Sequence, residues 1–300
     1  MKIVITGGLG YVGTALCKEY YNSNHEVIVF DNRFIPEQVK TLKEHKIKYY
    51  ERDLFDSADL IKDADIIYHL ASITDVAYTN TESDPVKDAL IKKVGIDGSR
   101  YIMNYVKKDA KFIFPSSHVV FEGLKETTFD LKEEDEPKQV LAYAFSKRQT
   151  ELDLINSSLN YIILRFASIY GYGENMRIKI VANLFSKIAS QNGTIKLFGR
   201  GINYKPLVCI NDVVKFLKFI AHNDKYNREI FHLVNENLTV KQIAEICIEA
   251  NPNVNIIETD DEIPNLGYTL SNKKLLNTGF NFQYNIRDEV FKMINFWKNE

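Results

Sequence analysis

A tyrosine and a lysine stand four positions apart in the segment YAFSK, residues 143–147. In a helix this spacing places Tyr143 and Lys147 on one face, one turn apart, where the ammonium group can stabilise a phenolate. A phenolate is a general base, so the pair is a candidate for moving a proton. The spacing is not sufficient by itself, because 17 tyrosines in this chain produce such pairs by chance.

A second candidate lies in the segment FIFPSSHVVFEG, residues 112–123. The apolar run predicts a strand, and Ser116 and Ser117 stand at its carboxyl end. Open α/β sheets bind their ligands at the carboxyl ends of the strands. Because Ser117 ends this strand, we expect it at the edge of the sheet where ligands bind in this fold class. It precedes Tyr143 by 26 residues.

The strands and helices that must position these residues can be predicted from alternating patterns in the sequence. Short β-branched runs, several of them apolar on successive residues, alternate with amphipathic stretches through the first half of the chain. Strands covered on both faces show such continuous apolar runs, and strand–helix alternation indicates a parallel sheet wound in βαβ units. The predicted strands are residues 2–6, 26–30, 48–52, 65–70, 111–116 and 160–165, and the predicted helices include residues 11–22, 85–107, 143–157 and 287–298.

A glycine-rich segment, TGGLGYVG (6–13), follows the first strand and opens a helix. Gly7, Gly10 and Gly13 satisfy the spacing G-x-x-G-x-x-G, and Gly8 with the last two satisfies G-x-G-x-x-G. Glycines here let the backbone turn tightly and approach a pyrophosphate at the helix N-terminus, where N–H groups and the helix dipole favour an anion. The pattern predicts an α/β fold with a Rossmann-type doubly wound parallel sheet that binds a dinucleotide.

The second predicted strand ends in an acidic residue, Asp31, which stands 18 residues after Gly13. A carboxylate at this place accepts hydrogen bonds from an adenosine ribose and repels a 2′-phosphate, which favours NAD over NADP. Arg33 keeps the other interpretation open, because a nearby arginine can accommodate that phosphate.

Other cofactor contacts are predicted at the ends of neighbouring strands. Asp53 either meets the adenine amino group or caps the helix that follows. The segment HLAS (69–72) ends the fourth strand with small residues that let the backbone lie close against a cofactor, and His69 is predicted to be packed at the strand end. The predicted cofactor-binding residues are Gly7, Gly10, Tyr11, Val12, Gly13, Asp31, Asn32, Asp53, Leu54, Leu70, Ala71, Ser72, Tyr143 and Lys147.

The regular alternation fades after about residue 170, where loops rich in Gly, Asn and Tyr (171–177 and 199–206) mix with short helices and strands. We therefore predict a first domain over residues 1–170 and a smaller C-terminal region over 171–300. Some chain at about 205–222 is expected to return to the first domain.

Composition excludes several classes of partner. A formal net charge of −2 and a pI near 6.3 give no reason to expect nucleic acid or an acidic membrane surface. No apolar stretch reaches the ~20 residues that a membrane helix needs, and the apolar run before the glycines is too short for a signal peptide. Cys17, Cys209 and Cys247 are far apart, which predicts buried thiols in a reducing cytoplasm and no metal site.

Six motifs, in this order along the chain, resemble the extended short-chain dehydrogenase/reductase family, and within it the nucleotide-sugar epimerase and dehydratase branch. The resemblance implies an NAD-dependent enzyme whose catalytic residues are Ser117, Tyr143 and Lys147. Ser117 would hydrogen-bond the sugar oxygen that Tyr143 deprotonates, while Lys147 and the nicotinamide charge lower the pKa of the phenol. The motifs are TGGLGYVG, HLAS, SSHVVF, YAFSKRQTE, LRFASIYG and GRGINYKPLVCINDVV.

The resemblance also implies that the C-terminal region is substrate-binding and holds a nucleoside-diphosphate sugar. Lys205 stands where the family usually has an arginine, Ser168 where an asparagine is common, and Gly95 where another asparagine is usual. His118 replaces the acidic residue with which dehydratases drive water elimination, which argues against dehydration. The predicted substrate-binding residues are Ser117, His118, Ser168, Arg177, Arg200 and Lys205.

The same catalytic set serves several reactions, so the sequence leaves alternatives open. Oxidation at C4 and return of the hydride to the other face gives a 4-epimerase, whereas release of the ketone gives a nucleotide-sugar 4-dehydrogenase or, in reverse, a ketosugar reductase. A reductase of small non-nucleotide carbonyls and a non-catalytic dinucleotide sensor are less favoured. The resemblance further suggests a homodimer formed through the helices at 85–107 and 143–157, and a place in surface polysaccharide biosynthesis.

Overall fold

The computed structural model describes residues 1–74, 82–263 and 265–299. The chain divides into two compact units. The first contains residues 1–123, 137–165 and 214–231, and the second contains residues 124–136, 166–213 and 232–300. The predicted first domain, residues 1–170, included the segment 124–136, which belongs to the second unit. The stretch that returns to the first unit was predicted at about 205–222 and is 214–231.

The strands of the described chain are short and evenly distributed. They are β1 (Lys2–Thr6), β2 (Glu26–Asp31), β3 (Lys48–Glu51), β4 (Ile66–His69), β5 (Lys111–Ser117), β6 (Thr128–Leu131), β7 (Asn160–Phe166), β8 (Ser168–Tyr170), β9 (Thr194–Leu197), β10 (Tyr204–Cys209), β11 (Glu229–Leu233), β12 (Glu236–Thr239), β13 (Asn255–Glu258) and β14 (Tyr268–Leu270).

The α-helices connect these strands. They are α1 (Tyr11–Lys18), α2 (Pro36–Glu44), α3 (Ala58–Ile61), α4 (Pro85–Lys92), α5 (Ser99–Tyr105), α6 (Ala142–Ile155), α7 (Val181–Ser190), α8 (Ile210–Ala221), α9 (Val240–Ala250), α10 (Lys273–Leu276) and α11 (Ile286–Lys298). A π-helical segment covers Lys93–Gly98, and 3₁₀ turns cover Leu54–Asp56 and His118–Phe121.

A seven-stranded sheet in the order β11-β7-β5-β4-β1-β2-β3 organises the first unit. The pairs β1–β2, β1–β4, β2–β3 and β4–β5 are parallel, as the predicted βαβ units require. Strands β4 and β5 are buried along their whole length, which explains why their sequences are apolar on successive residues. The prediction of a Rossmann-type α/β sheet is confirmed.

The core of the first unit forms where helices cover this sheet. Fully burying one such Leu, Ile or Phe side chain stabilises the fold by about 1.5–3 kcal/mol. One apolar cluster joins strand residues to residues of α3, α5 and α6, and includes Val4, Ile28, Ile67, Phe112, Ile163, Ile61, Ile102 and Leu154.

The second unit contains smaller sheets. Strands β12, β10 and β8 form one, with β10 antiparallel to β12 and parallel to β8. Two-stranded pairs join β13 to β9 and β14 to β6, and the latter pair brings residues 128–131 into this unit. Helix α9 begins with a capping box in which Thr239 and Gln242 satisfy each other's backbone N–H groups.

Two helices differ from their predicted lengths. The predicted helix at 85–107 is interrupted by the π-helical segment, where Gly95 approaches α6 so closely that a Cβ would lie 2.9 Å from Ser146 Oγ. The predicted helix at 11–22 ends at Lys18, and the turn that follows places Asn22 at a φ of +54°. Within the described residues, no helix is long and apolar enough to cross a membrane.

Candidate active site

The glycine loop between β1 and α1 is held by close backbone contacts. Gly7 has a φ of +65°, and a Cβ there would lie 2.7 Å from Ala71 Cα, so this loop and the end of β4 pack without side chains between them. A Cβ on Gly13 would lie 2.5 Å from Gly7 O. The loop therefore requires glycine at both positions for its own packing.

Helix α1 begins at Tyr11, directly after Gly10. The first turn of a helix presents N–H groups that lack intrahelical acceptors, and Gly10 has no side chain to cap them. The first turn of α1 carries no acidic residue. Its N-terminus therefore fits an anionic group such as a pyrophosphate, with Val12 and Gly13 in the same turn.

Asp31 lies buried at the end of β2 with both carboxylate oxygens occupied. Oδ1 accepts from the backbone N–H of Arg33 at 3.1 Å and from its Nε at 2.9 Å. Oδ2 accepts from Leu9 N–H at 3.1 Å and from Arg33 Nη2 at 3.0 Å. The Arg33 side chain is half exposed, so the buried carboxylate is covered by a cation that is open to solvent.

The other predicted cofactor residues lie at or near the carboxyl ends of β2, β3 and β4. Asp53 caps the turn at Leu54–Asp56 by accepting from Phe55 N–H at 3.0 Å, and Leu54 is buried in the core. The capping interpretation of Asp53 is therefore correct, and capping leaves acceptor capacity on an exposed carboxylate. Asn32 is exposed, whereas Leu70, Ala71 and Ser72 are partly buried.

Tyr143 and Lys147 lie one turn apart on α6. The Lys147 ammonium lies 5.6 Å from the centroid of the Tyr143 ring and 4.8 Å from that of Phe114. It donates to Pro115 O at 2.8 Å, and its burial lowers the pKa of Lys147 from the ordinary value to about 7, against an opposing effect of Glu151. The pair thus combines a partly exposed phenol with a buried amine that changes charge near neutral pH.

Ser117 is the last residue of β5, as predicted. Its Oγ accepts from Val119 N–H at 3.5 Å, which caps the short turn His118–Phe121. Both Ser117 and His118 are buried, with 9% and 7% of their surfaces exposed. The strand end and the helix α6 belong to the same compact unit.

A buried polar cluster joins the end of β5 to α6 and β7. Ser116 Oγ donates to Glu151 Oε1 at 2.5 Å. Arg165 binds both oxygens of Glu151 at 3.0 Å, and Arg148 donates to Oε2 at 3.0 Å. Glu151 and Arg165 are almost completely buried, so this is a desolvated ion pair with its hydrogen bonds satisfied.

His69 is buried at the end of β4, as predicted, and belongs to a chain of hydrogen bonds. Ser99 Oγ donates to Gly95 O at 2.6 Å and lies 2.9 Å from His69 Nε2. Because Ser99 donates to that carbonyl, we assign the imidazole proton to Nε2, which leaves Nδ1 to accept from Thr6 Oγ1 at 3.1 Å. Burial, with a smaller effect of Lys147, lowers the pKa of His69 to about 3, so the ring is neutral.

The predicted substrate-binding residues of the C-terminal region lie in the second unit. Ser168 begins β8, and Lys205 lies in β10. Arg177 O accepts from Asn183 Nδ2 at 3.0 Å. Arg200 has a φ of +56° and donates from Nε to Asp260 at 2.6 Å, with 63% of its side chain exposed.

The sequence interpretation assigned no role to Glu151, Arg165 or Thr6. Glu151 follows Lys147 by four residues, so the sequence could have indicated that it shares the face of α6 that carries Lys147. Arg148 stands three residues before Glu151 on the same helix, whereas Ser116 and Arg165 come from other segments of the chain, and no local pattern relates them to Glu151. Over residues 1–74, 82–263 and 265–299, the His, Cys, Asp and Glu side chains form no group of three that could hold a metal ion.

Comparison with known proteins places the chain by sequence. The model of the family described as "NAD dependent epimerase/dehydratase family" matches residues 3–233. A putative UDP-glucose 4-epimerase of Methanocaldococcus jannaschii is 27% identical over 224 residues, which cover 71% of each chain. A dTDP-4-dehydro-6-deoxyglucose reductase of Escherichia coli is 26% identical over 258 residues, which cover 81% of this chain and 79% of the reductase.

Solved structures show the same fold. The UDP-glucuronic acid 4-epimerase of Bacillus cereus, in complex with UDP-glucuronic acid and NAD, superimposes with a TM-score of 0.84. The match covers 100% of this chain and 99% of that one, at 19% sequence identity. The two proteins therefore share their fold.

Proposed function

Because the chain belongs to the NAD-dependent epimerase/dehydratase family, we propose that it epimerises C4 of a nucleoside-diphosphate sugar through a transient 4-keto intermediate. The observation that carries this proposal is the buried amine of Lys147 beside the Tyr143 phenol, at the end of β5 where Ser117 stands. The relative from Methanocaldococcus jannaschii and the structure from Bacillus cereus both carry 4-epimerase names, which supports the choice of reaction.

The first unit is the NAD-binding domain in this proposal. The N-terminus of α1, with Gly10, Tyr11, Val12 and Gly13, would hold the pyrophosphate. Asp31 and Asn32 would bind the adenosine ribose, Asp53 and Leu54 the adenine, and Leu70, Ala71 and Ser72 would line the nicotinamide side. Arg33 fills two of the four acceptor positions on Asp31, so its guanidinium must turn away before ribose hydroxyls can donate there.

Tyr143 is the general base of the proposed reaction. An unperturbed phenol has a pKa near ~10 and is a poor base at neutral pH. A cation about 5 Å from a phenolate oxygen stabilises the phenolate by roughly 3 kcal/mol at an effective dielectric of about 20, which is about two pK units. Lys147 supplies that charge when protonated, and Ser117 hydrogen-bonds the same sugar oxygen. The chemistry supplied by the bound nicotinamide is reversible acceptance of the C4 hydride.

The second unit is the substrate-binding region in this proposal. Lys205, Arg177 and Arg200 provide cationic side chains for a diphosphate, and Ser168 and His118 would contact the sugar. A lysine at position 205 offers charge without the bidentate fork of an arginine, so its grip on a phosphate is looser. Arg200 must exchange its Asp260 partner for a phosphate if it takes part.

A second candidate function is supported by the Escherichia coli relative, which is named a dTDP-4-dehydro-6-deoxyglucose reductase. Ser117, Tyr143 and Lys147 would serve a 4-dehydrogenase or a ketosugar reductase equally well. The difference lies in whether the keto intermediate turns over and is reduced again or is released. A place in polysaccharide biosynthesis and a cytoplasmic location complete the proposal.

We also propose a homodimer formed through α4 and α6. Each helix exposes apolar side chains on one face, with Val86 80% and Leu90 50% exposed on α4 and Phe145 46% and Leu152 36% exposed on α6. Pairs spaced by four or seven residues lie on the same face of a helix. Association of two copies through these faces would cover the exposed apolar surface.

The test is a panel of UDP-, GDP-, CDP- and dTDP-sugars incubated with the purified protein and NAD⁺. Reduced nicotinamide is followed by absorbance, and the sugars are separated by chromatography. We expect the C4 epimer of one substrate without net reduction of the cofactor. Accumulated reduced cofactor would instead establish the dehydrogenase, and no response to any nucleotide sugar would overturn the proposal.

A further inference from the structure

The end of β5 is tied to α6 at two successive turns of the helix. Lys147 donates to Pro115 O at 2.8 Å, and one turn further along, Glu151 accepts from Ser116 Oγ at 2.5 Å. Tyr143, Lys147 and Glu151 are spaced by four residues and share one face of α6. The strand segment that ends in Ser117 is therefore bound to the same helix face that carries Tyr143.

Glu151 is itself held in place from other elements. Arg165 on β7 binds both carboxylate oxygens at 3.0 Å, and the guanidinium of Arg165 lies 5.2 Å from the centroid of the Phe121 ring. Arg148 provides a third cationic contact at 3.0 Å. Glu151 is fully buried and bound on several sides, so the carboxylate oxygen that accepts from Ser116 is held in one place.

We propose that the Ser116–Glu151 hydrogen bond, anchored by Arg165, is a positioning tether that sets the Ser117 hydroxyl against the Tyr143 face of α6. This inference rests on the proposed roles of Ser117 and Tyr143. A charge-assisted hydrogen bond to a carboxylate is short and strongly directional, which suits it to fixing the level of a strand end along a helix. Ser116 and Glu151 do not act on the substrate themselves; they hold the residues that do.

The first test is Ser116→Ala, which removes the tether without changing charge or leaving a large cavity. We expect kcat for the nucleotide sugar to fall by about tenfold to a hundredfold, because misplacement of reacting groups by about 1 Å costs that much. KM for the sugar and the affinity for NAD should stay within about twofold of wild type. Ser116→Thr, which keeps the hydroxyl group, should retain most of kcat. Ser157→Ala is the matched control, because Ser157 Oγ makes a 2.7 Å hydrogen bond to Leu154 O at the far end of α6.

The second test is Glu151→Gln, which keeps an acceptor oxygen but removes the negative charge. Among the residues that the structure describes, the charged or titratable groups near Lys147 are Tyr143 and Glu151 on its own helix, the Arg148 and Arg165 partners of that carboxylate, and His69 on β4. Loss of the carboxylate lowers the pKa of Lys147, so the alkaline limb of the pH–rate profile should move to lower pH. Ser116→Ala should leave that limb in place, and Asp153→Asn, an acidic residue of α6 paired with Arg100, serves as the charge control.

Hydrogen exchange of residues 117–121 gives a readout that needs no substrate. We expect faster exchange there in Ser116→Ala and wild-type exchange in Ser116→Thr. If the wild type turns over no nucleotide sugar, the proposed function fails, and the exchange data still decide on the tether. The tether is overturned if Ser116→Ala keeps wild-type kcat, or if exchange at 117–121 does not change in that variant.

Discussion

At the scale of single residues, the site depends on a buried amine whose pKa burial has lowered. Lys147 is buried against Phe114 and the Tyr143 ring, and burial lowers its pKa to about 7. An amine in this state changes charge in the range where an enzyme operates. Its cation is present below about pH 7 in the unliganded chain, and a phenolate at Tyr143 would hold the proton on it at higher pH.

The first prediction concerns Tyr143→Phe. This change removes the proposed base and leaves the aromatic ring beside Lys147. We expect kcat to fall by about 10²–10⁴-fold, as loss of a general base does, with NAD binding retained. Steady-state turnover of the nucleotide sugar and titration with NAD check both parts. Wild-type turnover in this variant would show that Tyr143 is not the base.

A second prediction concerns the stability of Lys147→Met. The folded-state pKa of Lys147 is about 7, below the ordinary value of 10.5. Below pH 7 the folded wild type therefore bears the whole free-energy cost of burying the cation. This cost decreases as pH rises from about 7 to about 10.5, because the unfolded state then binds the extra proton. The stability gain of the variant should therefore be largest at acid pH and shrink by up to about 1.4 kcal/mol per pH unit above 7.

Urea unfolding of both proteins at pH 6, 8 and 9.5 measures this difference. Comparing the wild type with Lys147→Met at each pH cancels the contribution that the other lysines and the tyrosines make to the unfolding free energy. A difference in unfolding free energy that does not vary with pH would contradict a buried amine at position 147.

At the scale of elements, side-chain hydrogen bonds join strand ends in addition to the backbone hydrogen bonds of the sheet. Ala71 N–H donates to Thr6 Oγ1 at 2.9 Å, which extends the series through His69 and Ser99 to Gly95 O. This series connects β1, β4 and the π-helical segment before α5. Thr150 on α6 also donates to Gly95 O at 2.9 Å, so the irregular turn of the helix has its carbonyl satisfied.

A third prediction follows from His69. Its folded-state pKa of about 3 lies below the ordinary value of 6.5, so the unfolded chain binds a proton there that the folded chain does not. The wild type should lose stability as pH falls from about 6.5 towards 3, by up to about 1.4 kcal/mol per pH unit from this group. His69→Gln should show a shallower loss of unfolding free energy in urea titrations between pH 6 and 4.5. His45→Gln, outside this series, is the control; equal slopes for wild type and His69→Gln would refute the assignment.

At the scale of the whole molecule, the exposed apolar faces of α4 and α6 bear on assembly. Single exposed apolar residues are ordinary, but here four of them lie on two helices that pack against each other, and in the proposed dimer they form one patch. An isologous dimer brings the same patch of two copies together, which removes it from water.

The fourth prediction is that Leu90→Lys combined with Phe145→Lys gives a monomer. Two cations on each copy replace apolar surface and would repel those of the other copy across a twofold axis. Light scattering coupled to size exclusion should give the mass of two chains for the wild type and one for the variant. Ile257→Lys, which changes an exposed apolar residue of the second unit, is the control. A wild type of one-chain mass would contradict the proposed dimer.

Much of this protein was predictable because its signals are local. Short β-branched runs identified β1 to β5 and β7, six of the seven strands of the large sheet, but not β11. The glycine spacing between β1 and α1 indicated a dinucleotide-binding sheet, which the structure and the family match confirm. The thiols of Cys17, Cys209 and Cys247 are buried as composition predicted, and burial raises the pKa of each to about 12. Each of these conclusions needs only residue type, order and the period of an element.

Only the tertiary structure decided which distant groups meet. Ser116 and Glu151 are 35 residues apart, Thr6 and His69 are 63 apart, and no periodicity along the chain relates them. The occupation of Asp31 by Arg33, the π-helical break beside Ser146 and the transfer of residues 124–136 to the second unit also depend on packing. The physical reason is that periodicity selects an element and its buried face, whereas a hydrogen bond between elements depends on their register and distance, which the packed core sets.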